Sequence, residues 1–367
     1  MMKKSVSAII AGLLALVLVF TGCDRVTQEL DQRFPETSEV EKDDPVVEDP
    51  LPERVRRTYT VLLTTQLEKE ETLSGVSLLT FHTADDSLHW LELPPDLLIH
   101  ATGNNLQGHF ANAYRVEMVK ESGTEASALR AGADALRKLI STGFNMPIDY
   151  WVNLDGEQLS DLVKKVGAIP MTLTEGMGGL APGEYTLDAK AAMDFLTYTK
   201  YSDPATGKLN AHIQFAASFW QQARTVITAD NLSLFSMEIR SMMTTDIPNT
   251  GGEDMFFLRK FLRAEPNAFA ITHVTSQSVF YNGTQCRVLV KANALRQLNE
   301  QMMVYEDALT VAQFDPSGVF VDYANQMVAT VYTTTALLPP LQTMEELLHL
   351  EPAPEPDEGE GETETES

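Results

Sequence analysis

Between residues 59 and 303 the apolar side chains follow two rhythms, one of two residues and one of three to four. β-Branched and aromatic runs at 59–65, 76–81 and 88–93 predict strands, and the polar turn Ala84-Asp85-Asp86-Ser87 between the last two has hairpin length. Leu129, Ala133, Leu136 and Ile140 share one helical face, which predicts a helix over 125–141. A short aromatic strand is predicted at 149–153. Leu159, Leu162, Val163 and Val166 then recur at i, i+3, i+4 and i+7, the stripe of a helix over 156–166 laid on a core. A strand over 168–173 precedes Asp188, a suitable N-cap for a helix reaching about Leu196. Helices over 210–229, 233–244 and 252–264, strands over 269–274 and 285–290, and a helix over 292–303 complete the pattern. Such interleaving predicts an α/β fold, a central mixed β-sheet covered by helices on both faces in three α-β-α layers. No period of about 20–50 residues repeats, which excludes a solenoid.

The ends of the chain follow different rules. Lys3 and Lys4 precede an apolar run from Val6 to Phe20 that closes on Thr21, Gly22 and Cys23, the layout of a secretory signal. A Cys directly after Thr-Gly resembles the bacterial lipoprotein signal, which makes Cys23 the lipidation candidate. The 17 residues from Val6 to Gly22 also suit an uncleaved anchor helix near the lower length limit. Both readings tether the chain to the membrane on its extracytoplasmic face. Residues 24–50 hold ten acidic and three basic side chains, and 351–367 hold eight acidic and none basic. Self-repelling segments this poor in apolar residues do not build a core. The expected organisation is a signal (1–23), a flexible acidic stalk (24–57), an α/β domain (58–304), a C-terminal extension packed on the domain (305–345) and a disordered acidic tail (346–367). Strands at 318–323 and 327–334 would place that extension on the sheet edge.

Charge and motifs remove several functions. With 27 Lys and Arg against 52 Asp and Glu, and a net charge of −25, the chain is unsuited to nucleic acid. Two cysteines exclude a disulfide scaffold and a Cys-based zinc site, and a lipidated Cys23 leaves Cys286 as a small buried hydrophobe. There is no G-x-S-x-G elbow, P-loop, G-x-G-x-x-G or H-E-x-x-H. The glycines at 176–179 lack the Lys and Ser/Thr of a phosphate cradle and read as a loop, and Asp85 and Asp86 read as turn residues. The seven histidines are scattered, and His82 and His100 stand near strand ends as structural residues.

The stretches LHWLELPPDLLI (88–99), GHFANAY (108–114), LISTGFNMPIDYWVNLDGEQLSDLVKKVGAI (139–169) and LDAKAAMDFLTYTKY (187–201) resemble the LytR-CpsA-Psr family, extracytoplasmic proteins that attach glycopolymers to the bacterial cell wall. The resemblance covers the order of elements from Tyr59 to about Val304. It implies a polyprenyl-pyrophosphate carrier, two aspartates on a divalent cation and several arginines on the diphosphate. Hard cations select carboxylate oxygens, and diphosphate selects bidentate guanidinium. Aligned without gaps, the two aspartates fall on Gln66 and Gly75. The arginine of a Pro-Arg-Asp falls on Pro95, while Asp96 is kept. Two paired arginines fall on Thr197 and Thr199, and a late Arg-Gln falls on Ala211 and His212. Lys208 stands where another arginine is usual and His109 where a lysine is usual; a one-residue gap would make Lys200 or Gln214 a counterpart.

Each lost transition-state contact typically costs about a hundred- to a thousandfold in rate. The resemblance therefore implies a non-catalytic binding or assembly component, without cofactor, that keeps the family's apolar pocket or one of its surfaces. Its partners would be the membrane and a polyprenyl phosphate or envelope glycopolymer, and Asp96, His109, Lys200, Lys208 and Gln214 are the ligand-binding candidates. An active glycopolymer phosphotransferase with Mg²⁺ would need relocated carboxylates, from Asp96, Glu68, Glu70 or Glu71, converging at the mouth of an apolar pocket. A solute-binding lipoprotein would show two similar α/β lobes with a cleft between them.

Overall fold

The computed structural model describes residues 58–67, 73–82, 87–100, 108–201, 204–248, 253–281, 284–301, 309–310, 312–316, 319–321, 330–331 and 342–350. Cys23, the expected stalk, Glu68, Glu70, Glu71, Asp85, Asp86 and residues 351–367 lie outside them. In chain order, strands β1 (Thr58–Gln66), β2 (Gly75–His82), β3 (Leu88–Leu93), β4 (Leu98–Ile99) and β5 (Gly108–His109) lead to helices α1 (Phe110–Lys120) and α2 (Glu125–Phe144). Strand β6 (Tyr150–Asp155), helix α3 (Gly156–Val166), strands β7 (Ile169–Leu173) and β8 (Gly183–Leu187), and helices α4 (Ala189–Leu196), α5 (Pro204–Val226) and α6 (Leu232–Met242) follow. Then come β9 (Thr244–Thr245), α7 (Glu253–Arg263), β10 (Phe269–His273), β11 (Ser276–Tyr281), β12 (Thr284–Leu289) and α8 (Lys291–Arg296). The last described elements are β13 (Thr330–Val331), β14 (Gln342–Thr343) and α9 (Met344–Leu347).

The central sheet is mixed and seven-stranded, in the order β14-β10-β3-β2-β1-β6-β9. β1, β2 and β3 form an antiparallel meander, while β6 runs parallel to β1 and β10 parallel to β3. Both faces are covered, which is why β3, LHWLEL, is buried at every position rather than alternating. On one face Val61, Trp90, Val152 and Leu154 pack with Phe195 of α4, Trp220 of α5 and Phe257 of α7. On the other, Leu62, Leu78 and Leu91 pack with Tyr114 of α1, Ile140 of α2 and Phe320. Each such side chain contributes about 1.5–3 kcal/mol by leaving water. The helix starts follow from the sequence: the Thr124 side chain accepts from Ser127 N, and Asp155 and Gln158 form a reciprocal capping box at α3. The three-layer expectation holds in this architecture. Among the described residues there is one such sheet sandwich rather than two lobes around a cleft, and no helix is long and apolar enough to cross a membrane.

Several local expectations change. The strand expected at 149–153 is Tyr150–Asp155, because Asp149 instead uses its carboxylate to accept from Thr60 N. Helices α1 and strands β8 and β11 carry no prediction above; α1 buries Phe110 and Tyr114 only, too sparse a stripe to stand out. α5 begins at Pro204, six residues before the expected start, with the proline at the first helical position where its missing N–H is harmless. It ends at Val226 because the Asn231 side chain turns the chain by accepting from Thr228 N. The helix expected over 292–303 is α8 followed by a π-helical turn, Gln297–Gln301. In the extension, β13 pairs with β11 in a separate three-stranded sheet, and β14, not 327–334, takes the central sheet's edge against β10. Met344 and Leu347 are buried, so residues 346–350 belong to the folded body and not to the tail expected from 346.

Candidate functional site

Strand parity decides which side chains can meet. Successive residues point to opposite faces, so Val61, Leu63 and Thr65 of β1, Gly75, Ser77 and Leu79 of β2, and Trp90 and Glu92 of β3 all face the layer of α3 to α7. Between that sheet face and those helices lies a cavity of about 260 Å³. Its body is apolar, walled by groups such as Leu79, Phe215, Phe219 and Phe235. One end is polar: Thr65, Gly75, Ser77, Glu92 and, from α5, His212.

Glu92 is 2% exposed. Its Oε1 accepts from Ser77 Oγ at 2.9 Å and from Trp90 Nε1 at 2.8 Å, and its Oε2 has no hydrogen-bond partner. Burial outweighs those two hydrogen bonds and pushes the carboxyl up to about 7. Opposite Gly75, His212 occupies space that a side chain would need. A Cβ on Gly75 would lie 2.7 Å from Thr65 Oγ1 and 3.2 Å from His212 Nδ1. Burial, reinforced by the Lys208 charge and opposed by the Leu196 backbone, takes the imidazole down to about 3, so it is neutral at pH 7. His212 Nε2 is shielded from solvent and unpartnered. Arg240 reaches the same cavity from α6, and its buried Nη1 is also without a partner. That helix leads into β9, at the sheet edge four strands from β3.

Gln66 and Gly75 do not converge. Gln66 follows Thr65 and so points to the other face, where Tyr114 OH donates to its Oε1 at 3.5 Å and its Nε2 contacts Met118 Sδ at 3.8 Å. Thr64 Oγ1 and Tyr114 OH both donate to Asn153 Oδ1, so Gln66 belongs to a network that ties α1 to the sheet, and burial raises the Tyr114 phenol's pKa. Pro95 and Asp96 form the turn after β3, with the Pro95 carbonyl accepting from Ala111 N and the Asp96 carbonyl from Arg287 N. Thr197 caps α4, its Oγ1 donating to Met193 O at 2.8 Å, and Thr199 and Lys200 beyond it are exposed. On α5, Ala211 is buried next to His212, while Gln214 and Lys208 are half-buried. The backbone of His109 pairs with Leu98. Of the aligned positions, Gly75 and His212 line the cavity; Gln66, Pro95, Thr197 and Thr199 do not. Cys286 is buried against Leu98, Val279 and Val288.

Sequence reasoning missed the site's acid and a second buried charge. Glu92 was visible as a carboxylate inside an otherwise apolar strand, two residues from Trp90 and hence on its face. Arg287 on β12 is 4% exposed and donates to Ser276 Oγ and to Thr206 Oγ1 in the first turn of α5. His273, beside Glu92 in the β10–β3 register, is driven down to about 4 mainly by burial. Gln66 and Gly75 could not hold one hard cation between them: the two aligned positions face opposite sides of the sheet, and the space at Gly75 is taken. Among the described residues no three His, Cys, Asp or Glu side chains are placed to hold a metal ion.

Residues 52–303 match the family model described as the LytR_cpsA_psr family. Among solved structures, a Streptococcus agalactiae protein is similar at 13% identity and TM-score 0.56, over 73% of this chain and 94% of that one. Bacillus subtilis TagV is similar at 14% and 0.52, over 68% and 96% respectively. TagT, a B. subtilis protein, is similar in its structure bound to LI-WTA at 13% and 0.53, over 72% and 93%. At these identities the likeness carries the fold. No curated protein is similar enough in sequence to match.

Proposed function

The chain belongs to the LytR-CpsA-Psr family, related to cell-wall glycopolymer attachment, and from that premise we propose that it is a non-catalytic member serving as a binding or assembly component. It sits on the extracytoplasmic face of the membrane, held by a lipid on Cys23 or by the apolar segment before it, and holds the isoprenoid part of a lipid-linked glycopolymer in the apolar cavity. The observation that supports this reading is the pairing of Gly75 with His212: the position that an ungapped alignment gives to a metal-holding aspartate has no side chain, and a neutral imidazole lies beside it. Thr197, which uses its hydroxyl to close its own helix, and exposed Thr199 supply no guanidinium. Each charge-assisted phosphate contact forgone is worth roughly 1.5–3 kcal/mol. Several together remove both the grip on a diphosphate and the stabilisation of its departure.

The transferase reading would draw on Asp96, whose carbonyl is engaged by Arg287 in the turn after β3, away from the cavity lining. The binding reading is tested by native mass spectrometry on the full-length chain released from membranes. An isoprenoid-linked lipid held at one per chain supports it. Release of phospholipid only, or of nothing, contradicts it.

A further inference from the structure

The strand directions give the molecule two unlike ends. β1, β3, β6 and β10 all run the same way, and α7 lies across the starts of three of them. Phe256 and Phe257 meet Tyr59 edge-on at 6.1 and 5.9 Å, Phe257 meets Tyr150 at 5.5 Å, and Phe261 meets Phe269 at 5.7 Å. α7 turns Phe257, Leu258, Phe261 and Leu262 into the cavity, which leaves Arg259, Lys260 and Arg263 on its other face. Arg263 is exposed, and the Lys260 ammonium lies over the Phe256 ring at 5.9 Å. α6 packs beside α7 and is built alike: Phe235, Ile239 and Arg240 turn inward, while Leu234 and Met237 are 62% and 59% exposed. At the far end of β1, the groove holding Gln66 is lined by Glu121, Glu125, Asp155 and Glu157. From this we propose that the outer face of α6 and α7 docks on an anionic lipid bilayer, Leu234 and Met237 entering the headgroup layer and the three cations reaching lipid phosphates. The proposal rests on the membrane-anchored reading above and adds the surface that meets the membrane.

Charge singles out the occupant. The chain carries −25, so an anionic surface repels most of it. Cations on one side of a helix beside outward apolar groups make the composition that lies in a membrane interface. Each Lys or Arg close to an anionic leaflet is worth roughly fivefold in partition, so three together give on the order of a hundredfold. The acidic groove works in the same sense. Tyr59 and Gln66 are seven residues or roughly 23 Å apart along β1, about two Debye lengths at physiological salt, so the docked face and the carboxylates act as opposite poles. The tether enters at the basic pole. β1 begins at Thr58, next to the Tyr59 that packs on α7, and the sequence directly before it is Arg54-Val55-Arg56-Arg57. The apolar body of the cavity lies immediately behind the docked helices, beside the leaflet that supplies its ligand.

The test reads orientation on the full-length chain in lipid nanodiscs, where its own tether holds it at the membrane in every arm. Met237→Cys and, at the acidic groove, Val119→Cys each carry a bimane fluorophore, and lipids bearing a nitroxide below the headgroup quench whatever reaches the bilayer. Cys286 is buried, and the parent chain labelled in parallel corrects for Cys23. In discs of about one-third phosphatidylglycerol at about 0.1 M salt, the Met237 probe is expected to be quenched at least twofold and the Val119 probe not at all. Pure phosphatidylcholine discs, about 1 M salt, or the combined Arg259→Gln, Lys260→Gln and Arg263→Gln variant should each remove that quenching, and the first two leave the sequence untouched. Quenching of the Met237 probe that persists in phosphatidylcholine or at high salt would overturn the anionic-bilayer assignment. Equal quenching at both sites, or at neither, would overturn the docking face while the chain stays in the disc. Loss of the chain from the discs would instead contradict the membrane-anchored reading itself.

Discussion

Replacing Glu92 by Gln should stabilise the protein, increasingly so as the pH rises from 4.5 to about 7. The carboxyl's ordinary value is 4.5, and burial in the fold takes it to about 7. Below pH 4.5 the group is protonated in both folded and unfolded chains. As pH rises through about 7 the unfolded chain releases its proton first, so the stability present at low pH is lost across that window and stays lost above it. One pH unit is worth about 1.4 kcal/mol, which makes the total about 3 kcal/mol. Glutamine removes the titration while its amide oxygen still accepts from Ser77 and Trp90. His212 and His273 have lowered values and act on the opposite limb, taking stability away as pH falls below 6.5, but they are present in both proteins and cancel in the comparison. Urea unfolding of the full-length chain and of Glu92→Gln at pH 4.5, 6 and 8 should therefore give a difference that grows from near zero to about 2–3 kcal/mol in favour of the variant. A difference that is constant with pH, or that favours glutamate at pH 8, would refute the reasoning.

Two further predictions rest on packing. Gly75→Asp places a Cβ 2.7 Å from Thr65 Oγ1, so overpacking should cost about 1–3 kcal/mol and lower the thermal midpoint; an unchanged midpoint would mean that the space beside His212 is open. Ending the chain at 341 removes β14 and α9, exposing an edge of β10 and taking Met344 and Leu347 out of the core at about 1.5–3 kcal/mol each, whereas ending it at 350 should leave denaturant unfolding unchanged.

Much of the scaffold was legible because burial on both faces makes the central strands long and apolar, and because α2 and α3 carry clean stripes with capping residues in place. The elements that escaped are those with little to signal them. α1 buries two residues of eleven, β8 is largely exposed, and β11 opens with Ser-Gln-Ser. The site was half legible. Alignment brought forward Gly75 and His212, which do share the cavity, but also Gln66, whose direction parity alone contradicts: if Thr65 faces α5, Gln66 cannot. Glu92 shared its face with Trp90 and could have been found by the same alternation; the pairing of His212 with Gly75 could not, since nothing local links a helix residue to a strand 137 positions earlier.

Transfer of a lipid-linked glycan to an acceptor, followed on the full-length chain in nanodiscs with and without Mg²⁺, measures the central claim most directly. On the proposed reading, a family scaffold with a glycine at one aligned aspartate position and a neutral histidine packed against it should give no turnover in either condition while still retaining the lipid. Turnover that appears with Mg²⁺ and vanishes on its removal would contradict the account.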